Sequence, residues 1–226
     1  MENKYLDADL VREAVRSGRH REMVGGAWGE IGRLQFEFMK RHGLRPWHTL
    51  LDLGCGCLRG GVHFVRYLEP AHYFGVDINE SLVEAGYQIE LSDAGLQDRL
   101  PRENLRCARD FDFDAFPAPM DFVLAQSLFT HLTFNRIRQC LERLPGHLKA
   151  GGTFFATFFE LPEGTPSYLP ARHYPGDIVT HGADDPYHYR FRDLQYAASG
   201  LPWEVRYIGG WQHPRDQHMA AFERLA

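Results

Sequence analysis

The feature that most constrains the fold is an apolar run that ends in a loop of small residues. Residues 50–61 read LLDLGCGCLRGG, and a pattern with helical spacing follows from Gly61 to Leu68. A buried strand, a tight glycine turn and a helix start in direct succession are typical of a nucleotide-sized binding site. Gly54 and Gly56 let a ligand approach the backbone where a side chain would collide, and the first N–H groups of the helix point at the ligand.

A second strand ends in an acid at a matching distance. Residues 72–77 read HYFGVD, so Asp77 follows Gly56 by 21 residues. That spacing fits a doubly wound sheet in which the carboxylate accepts hydrogen bonds from ribose hydroxyls. The further alternation of strands and helices predicts an α/β fold, a doubly wound and mostly parallel sheet of seven strands with helices on both faces.

The chain is expected to form one domain, residues 46–226, preceded by a helical extension over residues 1–45. The periodicity of apolar residues and the turn residues between them place the elements. Helices are predicted over 5–17, 27–42, 61–68, 80–94, 134–144 and 190–199, and strands over 48–53, 72–77, 104–109, 121–126, 152–159, 203–208 and 218–224. Residues 161–189, rich in Pro, Tyr and His, are expected to be irregular and to form a substrate wall or lid.

Composition narrows the class of protein. The 226 residues are 44% hydrophobic, and no apolar run approaches the ~20 residues of a membrane span. The charged N-terminal residues do not resemble a signal peptide. The four cysteines, at 55, 57, 107 and 140, suggest neither a disulfide framework nor a zinc site, which favours a cytoplasmic location. A formal net charge of −5 argues against a nucleic-acid partner.

Two cofactor classes use such a loop, and its details separate them. A dinucleotide loop reads G-x-G-x-x-G, but Arg59 stands at the third glycine position here. Asp52 before the loop gives the pattern LDLGCG, which resembles motif I of the class I S-adenosylmethionine (SAM) dependent methyltransferases. Leu58 departs from that pattern, since most of the family carries a glycine there. The resemblance covers about residues 50–224 and implies the Rossmann-like methyltransferase fold with an antiparallel pair of closing strands.

The resemblance also implies the cofactor, SAM, and the residues that contact it. The glycine loop would lie along the methionine part, Asp77 would bind the ribose, and Asp110 would accept from the adenine amino group beside Phe111. Gln126 and Ser127, at the end of the fourth predicted strand, would lie beside the sulfonium or the acceptor. Ser127 could instead cap the next helix, and Asp110 could start a turn. The predicted cofactor-binding residues are Trp28, Asp52, Gly54, Cys55, Gly56, Arg59, Asp77, Ile78, Asp110, Phe111, Gln126 and Ser127.

The predicted function is methyl transfer from SAM to an O or N atom of a small metabolite. The fourth strand lacks the proline-aromatic run of DNA amino-methylating enzymes and the acids of a magnesium site, so neither a nucleobase nor a metal is expected. A general base would help if the acceptor carries a proton, and the candidates are His131, His188 and Tyr187. Cyclisation or cleavage of SAM with release of methylthioadenosine, and a non-catalytic SAM sensor, remain alternatives. The acceptor and the oligomeric state stay open.

Overall fold

The computed structural model describes residue 5 and residues 7–114, 116–117 and 119–226. Residues 1–4 and 6 of the predicted extension therefore lie outside the described residues. The chain divides into two compact units, of which the first runs to Asp112 and the second starts at Phe113. In the described ranges no helix combines the length and the apolar character that crossing a membrane requires.

The first unit consists of parallel strands and the helices that connect them. Its strands are β1 (Leu50–Leu53), β2 (Tyr73–Asp77) and β3 (Leu105–Cys107), and β2 pairs in parallel with both others. The register places Leu50 beside Tyr73 and Leu53 beside Val76. All four residues of β1 are buried, as expected for a strand covered on both faces. The helices are α1 (Ala8–Arg16), α2 (His20–Met23), α3 (Trp28–Arg41), α4 (Gly61–Tyr67) and α5 (Glu80–Ala85), which continues as a π-helical turn, Gly86–Leu91.

The second unit is built around one long strand. Here β5 (Leu148–Glu160) pairs in parallel with β4 (Met120–Ala125) and antiparallel with β10 (Gln217–Arg224), which pairs antiparallel with β9 (Trp203–Gly210). In its core Phe154 stacks on Phe222 at a centroid distance of 5.4 Å, and Phe129 meets both rings edge to face at 5.7 and 6.2 Å. The remaining elements are α6 (Phe134–Arg143), a hairpin of β6 (Ala171–His173) and β7 (Ile178–Thr180), β8 (His188–Tyr189) and α7 (Phe191–Ala198).

Most predicted elements are confirmed to within a few residues, including the antiparallel closing strands, and three expectations need correction. The segment 161–189 is not wholly irregular, because it contains the β6–β7 hairpin and the strand β8, which adds in parallel to β5. The helix predicted over 80–94 is α-helical only to Ala85, where the π-helical turn begins. The short helix α2 lies between the helices predicted over 5–17 and 27–42, where no element is predicted, because its four residues are too few to show a periodicity.

Candidate active site

The loop after β1 turns on two residues in the left-handed region. Gly54 has φ of 75° and Gly56 has φ of 53°. The N–H groups of Gly54 and Cys55 both donate to the carbonyl oxygen of Val76, at 2.8 and 3.1 Å, and so tie the loop to the end of β2. Glycine is favoured at both positions, because residues with a Cβ rarely adopt positive φ.

Leu58 adopts the same left-handed conformation without being a glycine. Its φ is 65° and its side chain is fully buried. Two glycines make room for it, since a Cβ on Gly61 would lie 2.9 Å from Leu58 Cβ and a Cβ on Gly86 would lie 2.7 Å from Leu58 Cγ. The backbone strain of about 1–2 kcal/mol is offset by burial of a leucine side chain. The departure from motif I thus keeps the shape of the loop.

Asp77 closes the loop from the end of β2. Its Oδ2 accepts from the N–H of Gly56 at 2.9 Å, and its Oδ1 accepts from the N–H of Asn79 at 2.9 Å. Burial raises the pKa of this carboxyl, although the backbone N–H groups of Asn79, Gly56 and Ile78 oppose the shift. Asp77 is not the cap of α5, because the N-cap position belongs to Asn79 and carries no side-chain hydrogen bond. Each carboxylate oxygen can accept a further hydrogen bond, as two ribose hydroxyls would require.

Asp52 lies on β1, deep under the loop. Its Oδ2 accepts from the hydroxyl of Tyr73 at 2.8 Å, and the residue is buried. Burial raises the pKa of Asp52 to about 7, and the bond from Tyr73 limits that rise. The structure therefore gives Asp52 a protein partner, and contact with SAM stays a prediction for this residue.

Arg59 and Trp28 belong to the contact between the loop and residues 20–28. The guanidinium of Arg59 donates from one nitrogen to the carbonyl oxygens of Val24 and Gly26, at 3.0 and 2.9 Å. Val24 Cγ1 lies 2.6 Å from the position that a Cβ on Gly56 would take. The Trp28 ring lies under the guanidinium of Arg21, 4.7 Å from ring centroid to Cζ. A side chain at position 56 would thus collide first with Val24, which the sequence did not indicate.

The other predicted cofactor residues of the first unit line the ends of β1, β2 and β3. Cys55 is buried, and its thiol faces the carbonyl oxygen of Gly56 at 3.9 Å. Burial raises the pKa of that thiol well above its usual range, so Cys55 stays protonated. Ile78 accepts at its carbonyl oxygen from the thiol of Cys107 at 3.4 Å. Asp110 is exposed beyond β3, and Phe111 beside it has φ of 52°.

Gln126 and Ser127 enter a buried polar network at the end of β4. Ser127 Oγ and Thr157 Oγ1 both donate to Gln217 Oε1, at 2.9 and 2.7 Å, and the Ser127 N–H donates to Thr157 Oγ1 at 2.7 Å. The side-chain amide of Gln126 lies 2.6 Å from Ser127 Oγ and 3.1 Å from His213 Nε2. The alternative that Ser127 caps the following helix is wrong, because neither α6 nor the 3₁₀ turn at 129–131 has a side-chain cap.

Two of the predicted catalytic residues come together in the second unit. His131 Nδ1 lies 2.5 Å from Asp185 Oδ1, and the His131 side chain is 26% exposed. The Tyr187 N–H donates to the carbonyl oxygen of Thr130 at 2.8 Å, which fixes the returning segment beside His131. Burial, with the charges of Asp185 and Asp184, raises the pKa of Tyr187. An imidazole oriented by a carboxylate is an arrangement suited to accepting a proton.

His188 is placed elsewhere, within a buried cluster around Thr180. Its Nδ1 lies 2.9 Å from Thr180 Oγ1 and its Nε2 lies 3.2 Å from the carbonyl oxygen of Ser167. His173 Nε2 approaches the same threonine hydroxyl at 2.9 Å. Burial lowers the pKa of His188. Because both ring nitrogens of His188 have hydrogen-bond partners within the protein, this geometry favours a structural role. A catalytic role for His188 stays a prediction that the geometry does not favour.

Sequence reasoning missed three residues of these networks and one contact. The residues are Glu90, Asp185 and Gln217, which read as ordinary surface positions, and the contact is that of His213 with Gln126, which its place in the turn before the last strand did not indicate. Each is joined to its partner across 54 or more positions of the chain, so no local pattern could have marked them. Across the described ranges, no set of three or more His, Cys, Asp or Glu side chains has an arrangement that could hold a metal ion.

Comparison with known proteins shows what this chain resembles. Residues 51–154 match the family model of a methyltransferase domain. The magnesium protoporphyrin IX methyltransferase from Synechocystis PCC 6803, solved with bound SAM, matches with a TM-score of 0.66 at 12% identity, over 99% of this chain and 98% of that one. The CcbJ methyltransferase from Streptomyces caelestis matches at 0.65 and 14% over 86% and 90%, and a SAM-dependent methyltransferase from Methanosarcina mazei at 0.60 and 13% over 83% and 97%.

These matches define the fold, an α/β architecture of the Rossmann-like methyltransferase type. Residues 51–154 carry a methyltransferase domain, and the two matched structures of the magnesium protoporphyrin IX methyltransferase hold SAM and S-adenosylhomocysteine. The residues of the first unit fit SAM, because a half-buried carboxylate with remaining acceptor capacity ends β2 beside a loop of left-handed glycines.

Proposed function

We propose that this enzyme transfers the methyl group of SAM to an O or N atom of a small metabolite. The proposal rests on one observation: within the matched methyltransferase domain, the hydrogen bond from the Gly56 N–H to Asp77 joins the acid at the end of β2 to the glycine loop. SAM supplies a methyl group already activated by a positively charged sulfur. The work of the chain is then to bind, to orient the acceptor and to exclude water.

The first unit would bind the cofactor. Asp77 would hold the ribose hydroxyls, while Asp110 and Phe111 after β3 would bind the adenine. Of the first-unit residues, Asp77 is supported best, because its two backbone partners fix the carboxylate and leave acceptor capacity on both oxygens. Gln126 and Ser127 would contact the sulfonium or the acceptor, since ligands of doubly wound sheets bind at the carboxyl ends of strands.

The second unit would provide the general base. His131 with Asp185 is the best supported candidate, because the carboxylate favours the tautomer with the proton on Nδ1 and makes Nε2 the basic atom. Such a base contributes about 10²–10⁴ in rate where the acceptor must lose a proton. Tyr187 follows Asp185 by two residues, on the segment that returns beside His131, and would help to shape the acceptor site.

The acceptor class is proposed from a structural neighbour and from the net charge of the chain. The name of the magnesium protoporphyrin IX methyltransferase gives a small molecule as the substrate of that enzyme. The net charge of −5 gives this chain no general attraction for a polyanion.

The location is proposed from the cysteines. Cys55, Cys57, Cys107 and Cys140 are free thiols, which supports a reducing, cytoplasmic location.

The test is the adenosyl product formed from SAM. Purified enzyme is incubated with SAM and a panel of metabolites that carry hydroxyl, carboxyl or amino groups, and the products are separated by chromatography. S-adenosylhomocysteine that depends on one acceptor supports the proposal. Methylthioadenosine would show cyclisation or cleavage of SAM instead, and tight SAM binding without turnover on any acceptor would indicate a sensor.

A further inference from the structure

Residues 20–26 are held against the glycine loop by two ionic or polar clamps, of which one has a buried carboxylate at its centre. Glu90, on the π-helical turn, is 4% exposed. Its Oε1 lies 2.7 Å from His20 Nε2 and accepts from Arg21 Nε at 2.7 Å, and its Oε2 accepts from Arg21 Nη2 at 2.7 Å. Burial raises the pKa of Glu90, but the bonds from Arg21 and His20 outweigh it and hold that pKa below its usual value.

The second clamp starts from the loop itself. Arg59 is buried and holds the carbonyl oxygens of Val24 and Gly26. Between the two clamps, the side chain of Val24 lies against Gly56, whose N–H is bound by Asp77. Three consecutive features of the cofactor site are therefore joined: the ribose acid, the second glycine and the segment above it.

Docking of the N-terminal helices does not require the Glu90 clamp. Val11, Ala14 and Met23 are buried in one apolar cluster with Leu82 and Ala85 of α5, and Val24 and Trp28 pack against it. That burial supplies the association energy. A buried carboxylate in a bidentate pair costs desolvation and adds little net stability, whereas it fixes geometry. The clamp thus determines the register of residues 20–26 on the loop more than their attachment.

The π-helical turn links the clamp to the loop. Gly86 at its start packs on the loop so closely that a Cβ would lie 2.9 Å from the carbonyl carbon of Cys57. Glu90 lies four residues further on and meets His20, whose carbonyl oxygen in turn accepts from the Cys57 thiol at 3.6 Å. One support therefore contacts both the glycine loop and the segment above it. π-helical turns are frequent at functional sites because they redirect side chains in this way.

From these contacts we infer that residues 20–26 form a wall of the SAM site, with Val24 as its contact surface and Glu90 as the positioning residue. The inference rests on the proposed cofactor site. Loss of the clamp lets the wall shift from the loop, so SAM dissociates faster from a chain that is still folded.

Calorimetry with SAM and stopped-flow measurement of its dissociation test this, with melting temperatures recorded on the same samples. Glu90→Gln should weaken SAM binding about ten-fold, mostly through faster dissociation. Arg21→Gln, at a half-exposed position, should weaken it about three-fold and serves if Glu90→Gln does not fold. The matched control is Glu84→Gln, which breaks the Glu84–Arg102 pair on neighbouring α5 and should leave SAM affinity unchanged.

The outcomes separate the wall from a purely structural clamp. A lower melting temperature with unchanged SAM affinity and dissociation rate in Glu90→Gln and Arg21→Gln would overturn the inference. Tighter SAM binding in those variants would also overturn it, because residues 20–26 would then obstruct the site. A wild-type chain that binds no SAM would contradict the cofactor site itself, which is a distinct result.

Discussion

Replacing Asp77 by alanine tests the ribose-binding acid, and the structure sets two separate effects. The carboxylate accepts from two backbone N–H groups, those of Gly56 and Asn79. Hydrogen bonds to a charged group contribute about 1.5–3 kcal/mol each. Since the half-buried N–H groups can be partly rehydrated, the stability of the fold should fall by roughly 2–4 kcal/mol.

The effect on the cofactor comes in addition. Loss of the bonds to the ribose hydroxyls should weaken SAM binding by about 1.5–3 kcal/mol, or roughly ten- to a hundred-fold. Asp77→Asn keeps one acceptor oxygen and should lose less on both counts. Calorimetric titration of the folded fraction gives the affinity, and thermal melting gives the stability. If Asp77→Ala melts earlier but its folded fraction binds SAM like the wild type, the ribose role is refuted and Asp77 only holds the loop.

Three further changes have defined outcomes. Asp52→Asn should stabilise the fold increasingly between about pH 4 and 7, by at most roughly 4 kcal/mol. The reason is that the unfolded chain releases the Asp52 proton near pH 4, while burial raises the pKa of Asp52 in the folded chain to about 7. A difference in melting temperature that does not depend on pH would contradict this. Gly56→Val should abolish SAM binding and lower the melting temperature, since φ is 53° and the new side chain meets Val24; normal binding would show that the loop is not at the cofactor. His131→Gln should reduce methyl transfer about 10²–10⁴-fold with SAM affinity retained, and Asp185→Asn by less; steady-state kinetics would reject the base if turnover is unchanged.

Local patterns were sufficient for the frame of the molecule. The apolar run before Gly54 and the acid that ends β2 are signals within one short stretch, because backbone geometry dictates which residues a strand–turn–helix can contain. The left-handed φ values of Gly54 and Gly56 and the placement of Asp77 against the loop agree with that prediction.

The networks around the site depend on partners far apart in sequence. Arg21 meets Glu90 69 positions on, and His131 meets Asp185 54 positions on. A single charged residue in a helical pattern indicates a solvated face, and nothing in its neighbours shows that tertiary packing will bury it. The hairpin at 171–180 was not predicted for a related reason. Its two strands have three residues each, which are too few to show an alternation of apolar and polar residues.

The most direct test of the central claim follows the methyl group itself. The enzyme is supplied with SAM that carries a trideuteriomethyl group and with the acceptor found in the product screen, and both products are quantified by mass spectrometry. Methyl transfer predicts an acceptor heavier by one trideuteriomethyl group on an O or N atom, formed in equal amount with S-adenosylhomocysteine. SAM consumed with its deuterated methyl group retained in methylthioadenosine would contradict the account.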